Sequence, residues 1–256
     1  MLRGMDMYID AHTHLSNYKD KIVEALECIN KYGIYTLDNS MYLEEYKESI
    51  KFQDKSKYII SSFGIHPWNA YKYTDQLESL DYFIEESPII GEVGLDFYWE
   101  KDKTKYESQI KVFKYFVEKA KKQNKIINVH TKGAEREIIE ILDSYKIEKA
   151  IIHWFSGKEE DLREMIKRGY YFTISSEIFY SEYIRHISKE IPINRLLTET
   201  DGPESEKWLS GKFPMPDIII DILSKLAKER NLSEEEMKYI IENNFKDFVL
   251  KDINKY

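Results

Sequence analysis

Residues 126–154 read IINVHTKGAEREIIEILDSYKIEKAIIHW, and the pattern is that of one strand–helix–strand unit. Ile126–His130 is short and rich in β-branched residues, with Ile126, Ile127 and Val129 about Asn128, as suits a strand covered on both faces of a parallel sheet. The period then changes. Within Ala134–Tyr145, Ile138, Ile141 and Leu142 stand at i, i+3 and i+4, with Glu135, Arg136, Glu137 and Glu140 between them, which is the apolar stripe of an amphipathic helix. Ala150–Trp154 returns to a β-rich run. Two strands separated by a helix need a crossover, so the pairing predicted for them is parallel. Each strand also carries a histidine near its C-terminal end, His130 and His153.

The same rhythm extends in both directions. Met7–Ala11, Ile34–Asp38, Ile59–Ile65, Ile89–Gly94, Tyr170–Ser175 and Arg195–Glu199 are further strand candidates, and Tyr18–Tyr32 and Thr104–Gln123 have helical patterns. After the last strand, Pro216–Arg230 and Ser233–Leu250 read as terminal helices, the second opened by a Ser233/Glu236 capping box. Eight strands alternating with helices in 256 residues predict an α/β fold, a TIM-type (β/α)8 barrel forming a single domain over residues 1–256. A doubly wound open sheet has the same rhythm and is the alternative.

Composition narrows the class. With 42% hydrophobic and 33% charged residues, and only 10 Gly and 6 Pro, the chain is globular rather than disordered or collagen-like. Cys28 stands alone, which excludes a disulfide scaffold. No apolar run approaches the roughly 18 residues of a spanning helix, and MLRGMDMYIDAH at the start has no signal-peptide core. A cytoplasmic protein without a membrane partner is expected. The sequence leaves the oligomeric state open, a monomer among the options. Gly91 and Gly94 have the wrong spacing for a dinucleotide fingerprint, so no nucleotide cofactor is expected. The formal charge of −8 speaks against a passive DNA-binding module.

Five of the six histidines fall at strand ends: His12 and His14 after the first strand, His66 after the third, His130 and His153 in the fifth and sixth. Glu92 and Asp96 close the fourth, and Glu199 and Asp201 follow the eighth. In a barrel these ends share one face, where loops build active sites. His12 and His14, two apart, point to one side of a strand and could bind one cation together with Glu92 and Asp201. His130 and His153 would hold a second, with Glu92 bridging. Mixed imidazole and carboxylate ligands leave Mg, Mn, Zn, Fe and Co undistinguished. Two divalent metal ions would activate a water, and Asp201 could take its proton. His186 follows no strand and reads as a surface residue on a helix.

The blocks IDAHTHL (9–15), GIHPW (64–68), GEVGLDFYW (91–99), NVHTKGA (128–134), IIHWFSG (151–157) and LLTETDGP (196–203) occur in order. Together they resemble the signature blocks of TatD-related metal-dependent DNases, members of the amidohydrolase-like barrels. The resemblance runs from residue 7 to Asn244-Phe245. It implies a TIM-type barrel, a divalent-metal hydrolase site, and cleavage of DNA phosphodiester bonds, often from the ends. It also implies His12, His14, Glu92, His130, His153 and Asp201 as ligands and His66 near the substrate phosphate.

Three positions depart from the family pattern. Ser16 replaces an aspartate, and Lys132 replaces an arginine, keeping a cation but losing the bidentate fork. Residues 204–214, ESEKWLSGKFP, replace a basic loop. Substrate contacts are expected from His66, Lys132 and Trp68, with Phe97, Tyr98, Trp99, Trp154 and Phe155 also on the rim. Phe155 reads as packing, whereas exposed rings there could stack bases of a single strand. Glu92 and Asp201 are the expected catalytic carboxylates, and DNA the expected substrate. The alternative is hydrolysis of another ester or an amide, aminoacyl esters included; a catalytically silent scaffold would not need six ligands. Two divalent ions would add about four positive charges where carboxylates converge, so net acidity opposes a broad DNA-binding face but not a small site taking a strand end.

Overall fold

The computed structural model describes residues 7–253. Residues 1–6, which belong to the start read above as lacking a signal core, lie outside the described residues. The strands are β1 (Tyr8–Thr13), β2 (Ile34–Asn39), β3 (Ile59–Ser62), β4 (Ile90–Asp96), β5 (Ile127–Lys132), β6 (Ala150–His153), β7 (Tyr171–Ile174) and β8 (Leu196–Thr198). The helices are α1 (Ile22–Tyr32), α2 (Leu43–Gln53), α3 (Asp81–Glu86), α4 (Tyr106–Gln123), α5 (Glu135–Ser144), α6 (Glu159–Lys167), α7 (Glu182–Glu190), α8 (Glu204–Ser210), α9 (Ile218–Glu229) and α10 (Glu234–Phe245). Each strand therefore falls where a β-rich run predicts it. No helix among the described residues is long and apolar enough to cross a membrane.

The chain divides into two compact units, neither continuous in sequence. One comprises the residues up to Asp38, Glu48–Ile60 and those from Phe172 onward. Here β1 pairs in parallel with β2, Tyr8 opposite Ile34 and Asp10 opposite Thr36, and β7 pairs in parallel with β8, Phe172 opposite Leu196. The chain just after β8 runs beside β1: the Asp201 amide donates to the His12 carbonyl at 2.8 Å and the His14 amide to the Gly202 carbonyl at 3.1 Å. Helix α9 buries Ile219, Ile222, Leu223 and Leu226, and α10 buries Met237, Ile241 and Phe245. The Asn244 side-chain amide donates to the carbonyls of Ile193 and Leu196 at 2.8 and 2.9 Å, tying α10 to β8.

The other unit comprises Asn39–Lys47 and Ser61–Tyr171. Its strands β4, β5 and β6 are parallel, and every residue in them is buried, the two-sided burial expected of strands covered by crossover helices. Gly94 stands opposite His130, and His130 opposite His153, so three positions form one row across the strands. Gly94 is required there. Its φ is +153°, and a Cβ would lie 2.0 Å from the His130 carbonyl oxygen, which only a residue without a side chain tolerates. Helices α4 and α5 cover these strands with Val112, Phe113, Phe116 and Val117, and with Ile138, Ile139, Ile141 and Leu142.

Several boundaries differ from the pattern-based reading. The helix expected from Tyr18 begins as a 3-10 segment, Leu15–Lys21, kinked at Lys19 with φ 50°, before α1 starts at Ile22. The one expected to run from Ser233 to Leu250 ends as an α-helix at Phe245 and continues as a π-helical turn over Lys246–Leu250. Its Ser233/Glu236 capping box is present. Residues 204–210, read as loop, form α8, closed by Gly211 at φ 77°.

Candidate metal centre

In the first unit, β1 presents Asp10 and His12, His14 follows just past its end, and these three residues are buried. The two Nε2 atoms lie 3.3 Å apart. Asp201 Oδ1 is 3.4 Å from His14 Nε2 and 3.7 Å from His12 Nε2. Tetrahedral ligands at about 2.1 Å from an ion are spaced about 3.4 Å apart, so the triangle has the dimensions of a coordination face. Asp201 holds this position from a left-handed backbone, φ 45°. That conformation costs a non-glycine residue about 1–3 kcal/mol and recurs where a site dictates geometry.

Asp10 fixes the neighbouring residue: its two carboxylate oxygens accept from the Thr200 amide and hydroxyl at 2.8 and 2.7 Å. Burial pushes its pKa up to about 8, against the lowering effect of those hydrogen bonds. Asp38 accepts from the Leu15 amide at 2.8 Å and from the Ser49 hydroxyl, anchoring the segment just after His14. Glu199 is wholly buried between β8 and Asp201.

The second unit carries its own cluster. Glu92 Oε1 is 2.8 Å from His130 Nδ1, 2.8 Å from His153 Nε2 and 3.5 Å from His66 Nε2. The His130 and His153 nitrogens are themselves 3.2 Å apart, as the shared row of β5 and β6 requires. Glu92 is 1% exposed, and a carboxylate at that depth demands positive charge nearby. Imidazole nitrogens grouped around one buried carboxylate oxygen suit a divalent cation, since neutral rings offer lone pairs and the carboxylate supplies the anion. His66, Glu92 and His130 place ligand atoms within 4.8 Å of one another.

Asp96 orients this cluster. Its Oδ2 lies 3.3 Å from His130 Nε2 and accepts the Trp68 indole N–H at 2.8 Å. Its Oδ1 accepts from the Tyr98 and Trp99 amides at 3.0 and 2.7 Å. Burial works against the charged form, but the hydrogen bond and charge of His130, with the Trp99 and Trp68 N–H groups, outweigh it and lower the pKa to about 2. An ionised carboxylate on the far ring nitrogen is the usual partner of a metal-binding histidine.

The residues expected to meet substrate are distributed less simply. His66 uses Nδ1 to accept the Trp68 amide at 3.2 Å and keeps Nε2 toward Glu92, so it belongs to the ligand cluster as much as to the rim. The Trp68 indole is committed to Asp96. Lys132 is buried, and its ammonium donates to the Trp154 carbonyl at 2.6 Å and to the Ser156 hydroxyl at 2.9 Å. Among the rim aromatics, Tyr98 and Trp99 are exposed and Phe155 is packed at 2% exposure. His186 lies exposed on α7.

Asp10 and Asp38 escaped the reading of the sequence. Asp10 had a signal, since it stands two residues before His12 on β1. Asp38 had none, because its role depends on Leu15 and Ser49 converging on it.

Structures alike in fold define the class. The TatD homolog YJJV from Escherichia coli matches with a TM-score of 0.87 at 20% identity, covering 95% of this chain and 98% of that one. The fold is thus an α/β barrel of the TIM type, as the strand–helix rhythm predicts. An uncharacterized metal-dependent hydrolase, MJ1582 of Methanocaldococcus jannaschii, is 27% identical over 93% of this chain and 94% of its own length. Human deoxyribonuclease TATDN3 is 27% identical over 76% of this chain and 77% of its own length. The TatD related DNase family profile matches residues 9–249. The chain belongs to that family of metal-dependent hydrolases.

Proposed function

We propose that this protein is a divalent-metal-dependent deoxyribonuclease that cleaves phosphodiester bonds at DNA ends, residues 1–256 forming its single barrel domain. The observation that carries the reading is the pair of histidine–carboxylate clusters, His12/His14/Asp201 and Glu92/His130/His153, buried except for the partly exposed Asp201. The name of the human relative, a deoxyribonuclease, supports the choice of bond. In this reading His12, His14 and Asp201 would hold one divalent ion, and Glu92, His130 and His153 another. Bound there, the ions would supply Lewis acidity toward a phosphoryl oxygen and make water acidic enough to be activated near neutral pH.

The chain's own groups do the rest. Asp201, with a carboxylate oxygen beside both His12 and His14, accepts the proton of the attacking water. Asp96 fixes the His130 ring. His66 and Trp68 line the approach of the phosphate, and Lys132, anchored at the end of β6, contributes positive charge without a bidentate contact. Exposed Tyr98 and Trp99 offer ring faces to bases. The poorly basic segment 204–214 favours a second reading in which the same centre hydrolyses another ester or an amide.

The test uses purified protein with Mg²⁺ or Mn²⁺ and end-labelled single- and double-stranded DNA. Progressive shortening from the ends, abolished by chelator and by His12→Ala, is expected. Intact DNA alongside metal-dependent turnover of an ester or amide panel would establish the second reading instead.

A further inference from the structure

A cleft of about 490 Å³ in the first unit lies between the 3-10 segment Ser176–Phe179, α8 and the start of α9. Phe179, Phe213, Pro214 and Ile218 give it apolar walls. Its charged lining groups are Glu206, Asp217 and Asp221 against the ammonium of Lys212, and the Lys21 ammonium lies 4.5 Å from the centroid of the Phe213 ring, which leaves a negative balance that disfavours anions. The decisive group is Glu206. It is 3% exposed, and its Oε1 accepts the Tyr180 hydroxyl at 2.7 Å. Its Oε2 is buried with no hydrogen-bond partner among the described residues.

A carboxylate oxygen buried without a donor is costly. One placed in the wall of a cleft that combines apolar side chains with a net negative lining is what a cationic N–H donor would satisfy. We propose that this cleft is a binding site for a small organic cation, a primary ammonium on an apolar or aromatic body. The ammonium donates to the Glu206 carboxylate, whose Oε2 lacks a donor, and the body lies against Phe179 and Tyr180. Aromatic walls add attraction for a cation that a neutral isostere lacks. The site lies outside the candidate ligand set, although α8 starts three residues after Asp201, whose carbonyl accepts the Ser205 amide at 3.3 Å.

Calorimetric titration of the full chain with benzylamine, and with benzyl alcohol as its neutral counterpart, tests the proposal. Saturable binding of benzylamine is expected, at least about tenfold tighter than benzyl alcohol, and Glu206→Gln should weaken it about tenfold or more. Absence of saturable binding, equal affinity for the alcohol, or unchanged affinity in Glu206→Gln would overturn the site. If circular dichroism shows that Glu206→Gln does not fold, Tyr180→Phe decides. That substitution keeps the ring but leaves both carboxylate oxygens to the ligand, so benzylamine should bind more tightly; unchanged or weaker binding refutes the proposal. The titrations are run with chelator present and repeated on His12→Ala, so the outcome is independent of whether the metal centre cleaves DNA.

Discussion

At the scale of single residues, the candidate centre is held by groups that would not themselves bind metal. Asp96 is the clearest. It meets His130 Nε2 on one oxygen and two backbone amides on the other, so it couples the imidazole to the main chain after β4. Asp96→Ala should therefore lower metal affinity about 10–100-fold while leaving Glu92, His130 and His153 in the chain. Competition with a coloured chelator measures this, and an unchanged affinity would show that His130 is oriented by its strand alone. The residues of the two clusters were conspicuous in the sequence because histidine is scarce and falls at strand ends. Asp96 was visible for the same reason, but its partnership with Trp68 depends on a turn no spacing rule describes. Lys132 shows the limit from the other side: its charge was read correctly, yet its ammonium is spent on the Trp154 carbonyl and Ser156.

At the scale of elements, the row Gly94–His130–His153 binds local sequence to the site. Gly94→Ala forces a Cβ to within 2.0 Å of the His130 carbonyl oxygen, so β4 and β5 must separate where His130 projects. The variant should unfold at lower temperature, by at least about 2 kcal/mol in stability as strained backbone substitutions do, and should lose metal binding more completely than an Asp96 variant. Thermal melts with and without added Mn²⁺ separate the two effects. The strands were readable because short stretches rich in β-branched residues, such as Ile126, Ile127 and Val129, have few alternatives. Helix α8 was not. It has Pro203 at its N-cap with no side-chain cap and lacks a long apolar stripe, so its existence depends on the surrounding Tyr180 and Asp201 contacts rather than on propensity. The kink at Lys19 was likewise invisible, since the apolar period passes through it unbroken.

At the scale of the whole molecule, acid stability follows from carboxylates held charged. Glu229 pairs with Lys189 at 2.8 Å and Lys225 at 2.7 Å, which lower its pKa from 4.5 to about 2. Glu164, between Lys167 and Arg168, is lowered likewise to about 2. A carboxylate with a depressed native pKa contributes stability above its unfolded value and loses it as pH falls through the native one. The dependence of melting temperature on pH should therefore steepen below about pH 4.5 and flatten near pH 2. Glu229→Gln should reduce that slope by an amount equivalent to at most about 1 kcal/mol, since the pair is largely solvated. A slope identical in the variant would mean that the lysines find other partners. The net charge of −8 opposes a broad DNA-binding face rather than a small site built from histidines and carboxylates.

The hydrogen bonds from Asn244 to the carbonyls of Ile193 and Leu196 have a consequence for how the chain can be cut. Strand β8 is only Leu196–Thr198, and the turn before it borrows its donors from a residue more than forty positions later. Shortening the gene product before Asn244 would strip that turn of its donors and unseat the strand leading to Asp201. Such a truncation should show rapid amide hydrogen exchange across 193–201 and no retained metal. Removal of residues beyond 250 should leave exchange there unchanged, so tags and fusions belong on the far side of that position.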